Sequence, residues 1–371
     1  MAGELSWGPD ILPGFQATPL RAATLVKADR LPEVAPGTAP KGIVLHVHGF
    51  NDYFFQDHLA DALIAAGYLF YAVDLSAAGR SESPDRIPHY VSNFREHAED
   101  LAEASQVLRE LHPELPLAVH AHSTGGLTAS LWAHAYRNAQ ATKAGPDGLI
   151  LNSPFFEIPG SVFARVGAAM SGPTLGRLRP LTALKPGPSL YATSQHADEG
   201  GRWQFDRNLK RTAGLATRLG WIRAARLAQA RVDRGLDIHC PVLLAVSGAS
   251  SHNDPELLDS TDTVLDVGAM AARADKLGND VTLLKIDGAV HDLSLSDTVP
   301  REQYFESLID WLDHKLGILV AAEPDRAAEP DRAVGPDRAV EPYSAVEPDS
   351  AAGQNEAEAT YDALTTPDLV P

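Results

Sequence analysis

The stretch HAHSTGG (residues 120–126) places a serine between a run typical of a strand and a pair of glycines. A serine hydroxyl becomes a nucleophile only when a base accepts its proton, and a third group must hold that base in the right tautomer. The run 115–119 predicts a buried strand, and the glycines begin a stretch with helical spacing. A turn this tight needs small residues two positions either side of Ser123, which Ala121 and Gly125 provide. We therefore interpret Ser123 as a nucleophile held out at the end of a strand.

A base and an acid are expected later in the chain, in the order serine, acid, histidine. His291 suits the base, because it follows the run 281–286, which is typical of a strand, and a short turn. The acid should follow the strand predicted at 241–246, and we favour Asp262 in STDTVLDV, with Asp254 as the alternative. An aspartate there can also simply cap a helix. The aspartates of this loop are Asp254, Asp259, Asp262 and Asp266.

An oxyanion site is predicted where His48-Gly49-Phe50 follows the strand ending at Val47. This turn would aim the Phe50 amide at the serine beside the Thr124 amide, and each such donor contributes roughly 3 kcal/mol to catalysis. We expect His48 to hold the loop. The pairs His46/His48 and His120/His122 each share a strand face, but no further ligand is spaced nearby, so we expect no metal site and no cofactor.

Short aliphatic runs alternate with amphipathic stretches, which predicts a mostly parallel sheet covered by helices on both faces. The interval 153–236, which we call the inserted segment, contains no clear strand and predicts a helical insertion over the sheet. The predicted strands are 42–47, 68–73, 115–122, 148–151, 241–247 and 280–286. The predicted helices are 54–66, 91–111, 125–137, 267–277 and 301–315.

Composition bounds the possible functions of this chain. Its 371 residues are 44% hydrophobic, enough for a large core, and the formal net charge of −18 argues against nucleic-acid binding. No run approaches the roughly 18 apolar residues of a membrane span. The single cysteine, Cys240, is consistent with a reducing compartment, so we expect a cytoplasmic protein. The oligomeric state stays open.

Half of the net charge lies at the end of the chain. Residues 320–371 contain 12 acidic residues and 3 arginines, and from residue 323 to 352 a six-residue unit of the type EPDRAA repeats. A proline in every unit opposes helix and sheet, so we predict a disordered acidic tail after a folded domain at 1–319.

Six stretches, taken in order, resemble the α/β-hydrolase superfamily in the branch of monoacylglycerol lipases, lysophospholipases and serine aminopeptidase-like proteins. The resemblance covers about residues 15 to 316. It implies an α/β-hydrolase fold with the inserted segment as a helical cap, Ser123 as nucleophile, His291 as base, Asp262 as acid, and Phe50 and Thr124 as oxyanion amides. The stretches are HVHGFNDY, GYLFYAVDLSAAGRS, HAHSTGG, LNSPFF, STDTVLDV and GAVHDLSLS.

The resemblance implies hydrolysis of a small lipid-like ester, of monoacylglycerol or lysophospholipid type, through an acyl-enzyme. A thioesterase or acyltransferase would use the same triad, and a non-catalytic binding protein of this fold is a further alternative. A peptidase is less favoured, because no acidic clamp for a substrate amine is identifiable. The candidate substrate contacts are His48, His122, Phe155 and Phe156, and the aromatic residues Phe163, Trp203 and Trp221 are further candidates for an acyl tunnel.

Overall fold

The computed structural model describes residues 5–33, 38–137, 145–158, 174–184, 189–251 and 254–322. Phe163 and all but the first three residues of the acidic tail lie outside these ranges. Within them, no helix combines the length and the apolar character needed to cross a lipid bilayer.

A nine-stranded sheet forms the centre of the protein, in the order β1-β2-β3-β5-β4-β6-β7-β10-β11. From β5 to β11 every neighbouring pair is parallel, and all six predicted strands are present. The sheet strands are β1 (Gly8–Pro9), β2 (Phe15–Pro19), β3 (Thr24–Ala28), β4 (Ile43–Val47), β5 (Leu69–Asp74), β6 (Leu117–His122), β7 (Gly148–Asn152), β10 (Val242–Ser247) and β11 (Val281–Ile286).

The first three strands were not predicted from the sequence. They join the sheet through antiparallel pairing of β3 with β5, and β2 has only two buried positions among its five residues. A strand this short and this exposed gives a weak periodic signal. The central strands are buried along their whole length, which is why their aliphatic runs stand out in the sequence.

Helices cover both faces of the sheet, which confirms the predicted α/β architecture. Alternate strand residues separate two cores: Leu45 packs with Leu101 and Trp132 on one face, and Val44 packs with Leu63 and Tyr304 on the other. The helices that supply these faces are α1 (Asp57–Ala65), α2 (Arg95–Leu111), α3 (Thr124–Ala135), α7 (Val267–Ala271) and α8 (Thr298–Ala322).

The inserted segment contributes three described helices: α4 (Thr174–Leu178), α5 (Leu190–Gln195) and α6 (Leu219–Asp233). It also holds a two-residue antiparallel pair, β8 (Ala183–Leu184) with β9 (Thr217–Arg218), where the sequence predicted no strand. Two residues are too few to produce an alternating pattern. One face of α6 is buried, including Trp221 and Ala225, so this helix packs firmly on the rest of the protein.

Candidate active site

Ser123 lies in a sharp turn between β6 and α3. Its backbone has φ 51° and ψ −115°, a left-handed conformation that costs a non-glycine residue free energy. The neighbouring strand holds the turn, because the Ser123 amide donates to the Asn152 carbonyl of β7 at 3.0 Å. Strained backbone of this kind is typical of sites where one side chain must be presented in a fixed direction.

The small residues around the turn are required by close backbone packing. A Cβ added at Gly125 would lie 2.4 Å from the His48 carbonyl oxygen, and one added at Gly49 would lie 3.0 Å from the Ser123 Cβ. The loop after β4 therefore lies directly against the serine turn, where the sequence placed it.

His291 reaches Ser123 from the loop that follows β11. Its Nε2 lies 3.2 Å from the Ser123 Oγ, although 168 residues separate the two in the chain. The loop is fixed on both sides of the histidine: the Ser247 hydroxyl donates to the Ala289 carbonyl at 2.7 Å, and the Val290 amide donates to the Ser296 hydroxyl at 3.0 Å. The His291 side chain is 4% exposed.

Asp262 lies on the opposite edge of the same imidazole. Its Oδ2 is 2.8 Å from the His291 Nδ1, and its Oδ1 accepts the amides of Val264 and Leu265, both at 2.8 Å. The same carboxylate thus caps the turn that follows it and contacts the histidine. Asp254 is exposed, and its carboxylate accepts the amide of Glu256 instead.

This arrangement fixes which nitrogen of the His291 ring faces Ser123. A carboxylate at Nδ1 holds the proton on that nitrogen, so the Nε2 lone pair faces the serine hydroxyl. All three side chains are at least nine-tenths buried, which strengthens the electrostatic interaction among them. An arrangement of this kind is one that can activate a serine hydroxyl.

The two predicted oxyanion donors flank the serine in the chain and in the loop packed against it. Among the described residues, no group accepts a hydrogen bond from the Phe50 or the Thr124 amide. Both ring nitrogens of His48 bind backbone, since Nδ1 donates to the Gly49 carbonyl at 2.7 Å and Nε2 accepts the Leu75 amide at 3.0 Å. His48 therefore fixes the loop that carries the Phe50 amide.

The chain matches the family described as serine aminopeptidase, S33, over residues 38–297. It belongs to this family. Its members have the α/β-hydrolase fold and are serine hydrolases, so the family accounts for both the sheet topology and the serine turn.

Individual relatives of this chain are monoacylglycerol lipases. The enzyme of that name from Mycolicibacterium smegmatis is 35% identical over 99 residues, which are 24% of this chain and 32% of the relative. The matched part therefore spans about a third of that relative. A soluble variant of monoglyceride lipase from Saccharomyces cerevisiae, solved with a substrate analog, superposes with a TM-score of 0.60 at 20% identity, covering 85% of this chain and 95% of its own. The monoacylglycerol lipase of Paleococcus ferrophilus superposes with a TM-score of 0.55 at 21% identity, and the match covers 75% of this chain and 96% of the Paleococcus chain.

A buried polar cluster adjoins Ser123 and His291, and the sequence reasoning found only one of its members. His122 packs its ring 4.8 Å from that of His291 and donates from Nδ1 to the Asn152 carbonyl at 3.1 Å. Burial lowers the pKa of His122 to about 4, against a smaller raising effect of Asp292. Asp292 directly follows His291 in the chain, which was the one available signal of its position.

Asp292 is a buried carboxylate satisfied by four hydrogen bonds. Asn152 Nδ2, Ser294 Oγ and the Ser294 amide donate to its Oδ1 at 2.7, 2.6 and 3.1 Å, and Gln56 Nε2 donates to its Oδ2 at 3.1 Å. Burial alone would raise the pKa of Asp292. The opposing effects of His122, the Ser294 hydroxyl and Lys210 hold it well below the ordinary value.

Asp52, His122 and Asp292 bring one ligand-type atom each to within 4.8 Å of one another. Oxygen and nitrogen donors of this kind can bind a cation. The ammonium of Lys210 lies 3.1 Å from the Asp52 Oδ1, so one of these three groups already has a protein cation as its partner.

The aromatic residues that the sequence offered as substrate contacts lie in different parts of the structure. Phe155 and Trp221 pack together at 5.9 Å between ring centres, and Trp221 also lies 4.7 Å from the ring of Phe50 in the loop after β4. Phe156 is fully buried in the larger core. Trp203 stacks on His58 at 4.0 Å, and its indole nitrogen donates to the Leu295 carbonyl.

Proposed function

We propose that this protein is a serine carboxylic-ester hydrolase in which Ser123 is the nucleophile, His291 the base and Asp262 the orienting acid. The observation that carries the proposal is the continuous pair of contacts at His291, 3.2 Å to the Ser123 hydroxyl and 2.8 Å to the Asp262 carboxylate. Family membership supports the same reaction class.

The first step forms an acyl-enzyme. Ser123 Oγ attacks the ester carbonyl while His291 Nε2 accepts the hydroxyl proton, and Asp262 stabilises the resulting imidazolium. Negative charge develops on the carbonyl oxygen, and the Phe50 and Thr124 amides would stabilise it. The tetrahedral intermediate then collapses, and His291 returns the proton to the leaving alcohol.

The second step releases the acid. Water enters the position vacated by the alcohol, His291 removes one of its protons, and the resulting attack on the acyl carbon repeats the same charge development. The Ser123 oxygen leaves with the proton from His291, which restores the starting state. Overall, one ester and one water are consumed, and one alcohol and one carboxylic acid are released.

The acyl group is proposed to be apolar, in an ester of monoacylglycerol or lysophospholipid type. Phe50, Phe155 and Trp221 form a contiguous aromatic cluster, and Phe50 belongs to the loop that carries one of the proposed oxyanion amides, so this cluster is the proposed contact for the acyl chain. The names of the lipase relatives support the same class.

The inserted segment is proposed to act as a cap over this site. It supplies Trp221 against Phe50, and it supplies Tyr191, whose ring meets the His291 ring edge-on at 5.6 Å. A cap with residues at both the base and the oxyanion loop would shape the pocket for the acyl chain.

The test is hydrolysis of p-nitrophenyl esters from two to sixteen carbons, followed by a head-group panel of monoacylglycerol, lysophosphatidylcholine and acyl-CoA. We expect turnover of the ester substrates by the full chain and a loss of about 10⁴-fold or more for Ser123→Ala. Ser130→Ala is the matched control, because the hydroxyl of this buried serine of α3 donates to the Gly126 carbonyl at 2.7 Å, within its own helix. Full activity in Ser123→Ala would overturn the mechanism, and a preference for acyl-CoA would overturn the substrate class.

A further inference from the structure

Lys210, in the inserted segment, is a lysine that is only 4% exposed. Its Nζ lies 3.1 Å from the Asp52 Oδ1 and faces the rings of Phe55, Phe205 and Tyr191 at 4.8, 5.5 and 5.9 Å from their centres. Burying an ammonium is costly unless a counter-charge and polarisable partners receive it. This position supplies both, so it is built to hold a positive charge.

The Lys210 ammonium lies beside a pair of buried carboxylates. Asp52 and Asp292 come within 4.8 Å of each other through one oxygen each, together with a ring nitrogen of His122. Two carboxylates at that separation repel one another strongly unless a cation or a proton lies between them. Lys210 and Asp52 are ion-paired, and Asp292 keeps its charge partly through Lys210.

This cluster is joined to the triad on both sides. His122 precedes Ser123, Asp292 follows His291, and the two imidazole rings are 4.8 Å apart. The Asp292 amide also donates to the Tyr191 hydroxyl at 3.0 Å, so the residue after the base is fixed by the inserted segment. A change of charge in the cluster therefore acts on the base at short range.

We propose that Lys210 is a positioning residue that sets the charge beside the reacting pair: its ammonium offsets the buried carboxylates of Asp52 and Asp292, so that their negative charge does not favour a cation on the neighbouring imidazole rings before the serine proton arrives. The inference rests on the proposed function, because only a neutral His291 can accept the serine proton. It also makes the inserted segment an electrostatic part of the active site in addition to its proposed role in binding substrate.

The direction in which Lys210 affects protonation of the two imidazoles follows from the charged groups around them. Asp262 contacts His291 directly, and the buried cluster adds two more carboxylates, which all favour the imidazolium form. Lys210 acts in the opposite direction, and it lowers the pKa of His122 together with the dominant effect of burial. Loss of the ammonium therefore favours protonation of both rings. The titratable or charged groups facing them are Asp52, Asp262, Asp292, Lys210, His46 and Tyr191.

The experiment measures kcat/KM for p-nitrophenyl butyrate from pH 4.5 to 9 with the full chain. Lys210→Met should move the acid limb of the profile up by about one pH unit, with activity recovered at alkaline pH. Asp52→Asn should move the limb down, since it removes one carboxylate and keeps the ammonium. The double variant restores the balance of charge, so its limb should return toward that of the parent. Lys41→Met is the control, because it removes an exposed lysine paired with Asp313.

Acid limbs that stay within about 0.2 pH units of the parent in both single variants, or that move in the same direction, would overturn the inference. A role in packing alone would lower activity equally at every pH and leave the double variant worse than either single one. Should Lys210→Met fail to fold, Asp52→Asn and the double variant still distinguish the two directions. An unmoved limb with an inactive Ser123→Ala rejects the role of Lys210 alone, whereas an active Ser123→Ala rejects the mechanism on which it rests.

Discussion

Replacing Asp262 by asparagine tests the orientation of the base without changing the shape of the site. The Oδ1 of Asp262 accepts two backbone amides at 2.8 Å, while Oδ2 contacts the His291 Nδ1. An asparagine can satisfy both amides only with its oxygen, which turns its NH₂ group toward His291. The imidazole then accepts at Nδ1 and carries its proton on Nε2, where it faces the serine in the wrong tautomer.

The expected loss is about 10⁴-fold in kcat, the size seen when this change is made in other serine triads, which corresponds to about 5.5 kcal/mol of transition-state stabilisation. KM should change little, because both oxygens of the Asp262 carboxylate are occupied by contacts within the protein and have no role in binding substrate. The melting temperature should also change little, since both backbone contacts are kept. The assay is steady-state hydrolysis of p-nitrophenyl butyrate at pH 8, with thermal unfolding measured on the same samples.

Asp254→Asn is the matched control for this prediction. Asp254 is exposed and bonded to the Glu256 amide, so the variant should keep the turnover of the parent. An inactive Asp254→Asn, or an Asp262→Asn that keeps more than about a tenth of the parent kcat, would show that the acid has been assigned to the wrong residue.

Three further variants test the fold around the site. Gly125→Ala should lower kcat/KM by about 100-fold, because its Cβ would stand 2.4 Å from the His48 carbonyl oxygen and push the serine turn from the oxyanion loop; unchanged kinetics would contradict this close packing. Burial raises the pKa of Asp100 from 3.8 to about 6, so the folded state retains this proton to higher pH than the unfolded state, and stability is lost as pH rises between those values. Asp100→Asn keeps an acceptor for the Ser76 amide and cannot ionise. The free energy of unfolding of this variant minus that of the parent, measured in urea, should therefore be on the order of 2 kcal/mol larger at pH 8 than at pH 4. An equal difference at both pH values would be inconsistent with a buried, ionised carboxylate. Leu45→Ala should lower the free energy of unfolding by about 2 to 5 kcal/mol in the same assay, and a loss below about 1 kcal/mol would show that the core on that face collapses around the gap.

The residues that sequence reasoning placed best are those whose position follows from a local pattern. A predicted strand, a turn with small residues and a predicted helix indicate the position of Ser123, and the place of His291 after the last predicted strand indicates its position. The acid was harder to choose, because four aspartates follow β10 and each suits a helix cap. Only the three-dimensional path of the loop brings Asp262 against the imidazole and leaves Asp254 at the surface.

What the sequence did not reveal depends on contacts between distant segments. The Lys210 ammonium meets Asp52 across the boundary between the inserted segment and the loop after β4. Lys210 belongs to no motif, and Asp52 lies in the stretch HVHGFNDY without a role that the sequence assigns to it. The buried network of Asp292 likewise draws its donors from Gln56, Asn152 and Ser294 on three separate elements. Pairing of this kind leaves no periodic trace in a single sequence, since each residue alone looks like an ordinary surface polar group.

The most direct test of the mechanism is the rate and site of labelling by a fluorophosphonate, followed by mass spectrometry of the intact protein and of its peptides. One adduct per chain, carried by the peptide that contains Ser123 and formed at least about 100-fold more slowly in His291→Ala, is the predicted result. Labelling of a different residue, or an equal rate at Ser123 in the absence of the imidazole, would contradict activation of this serine by His291.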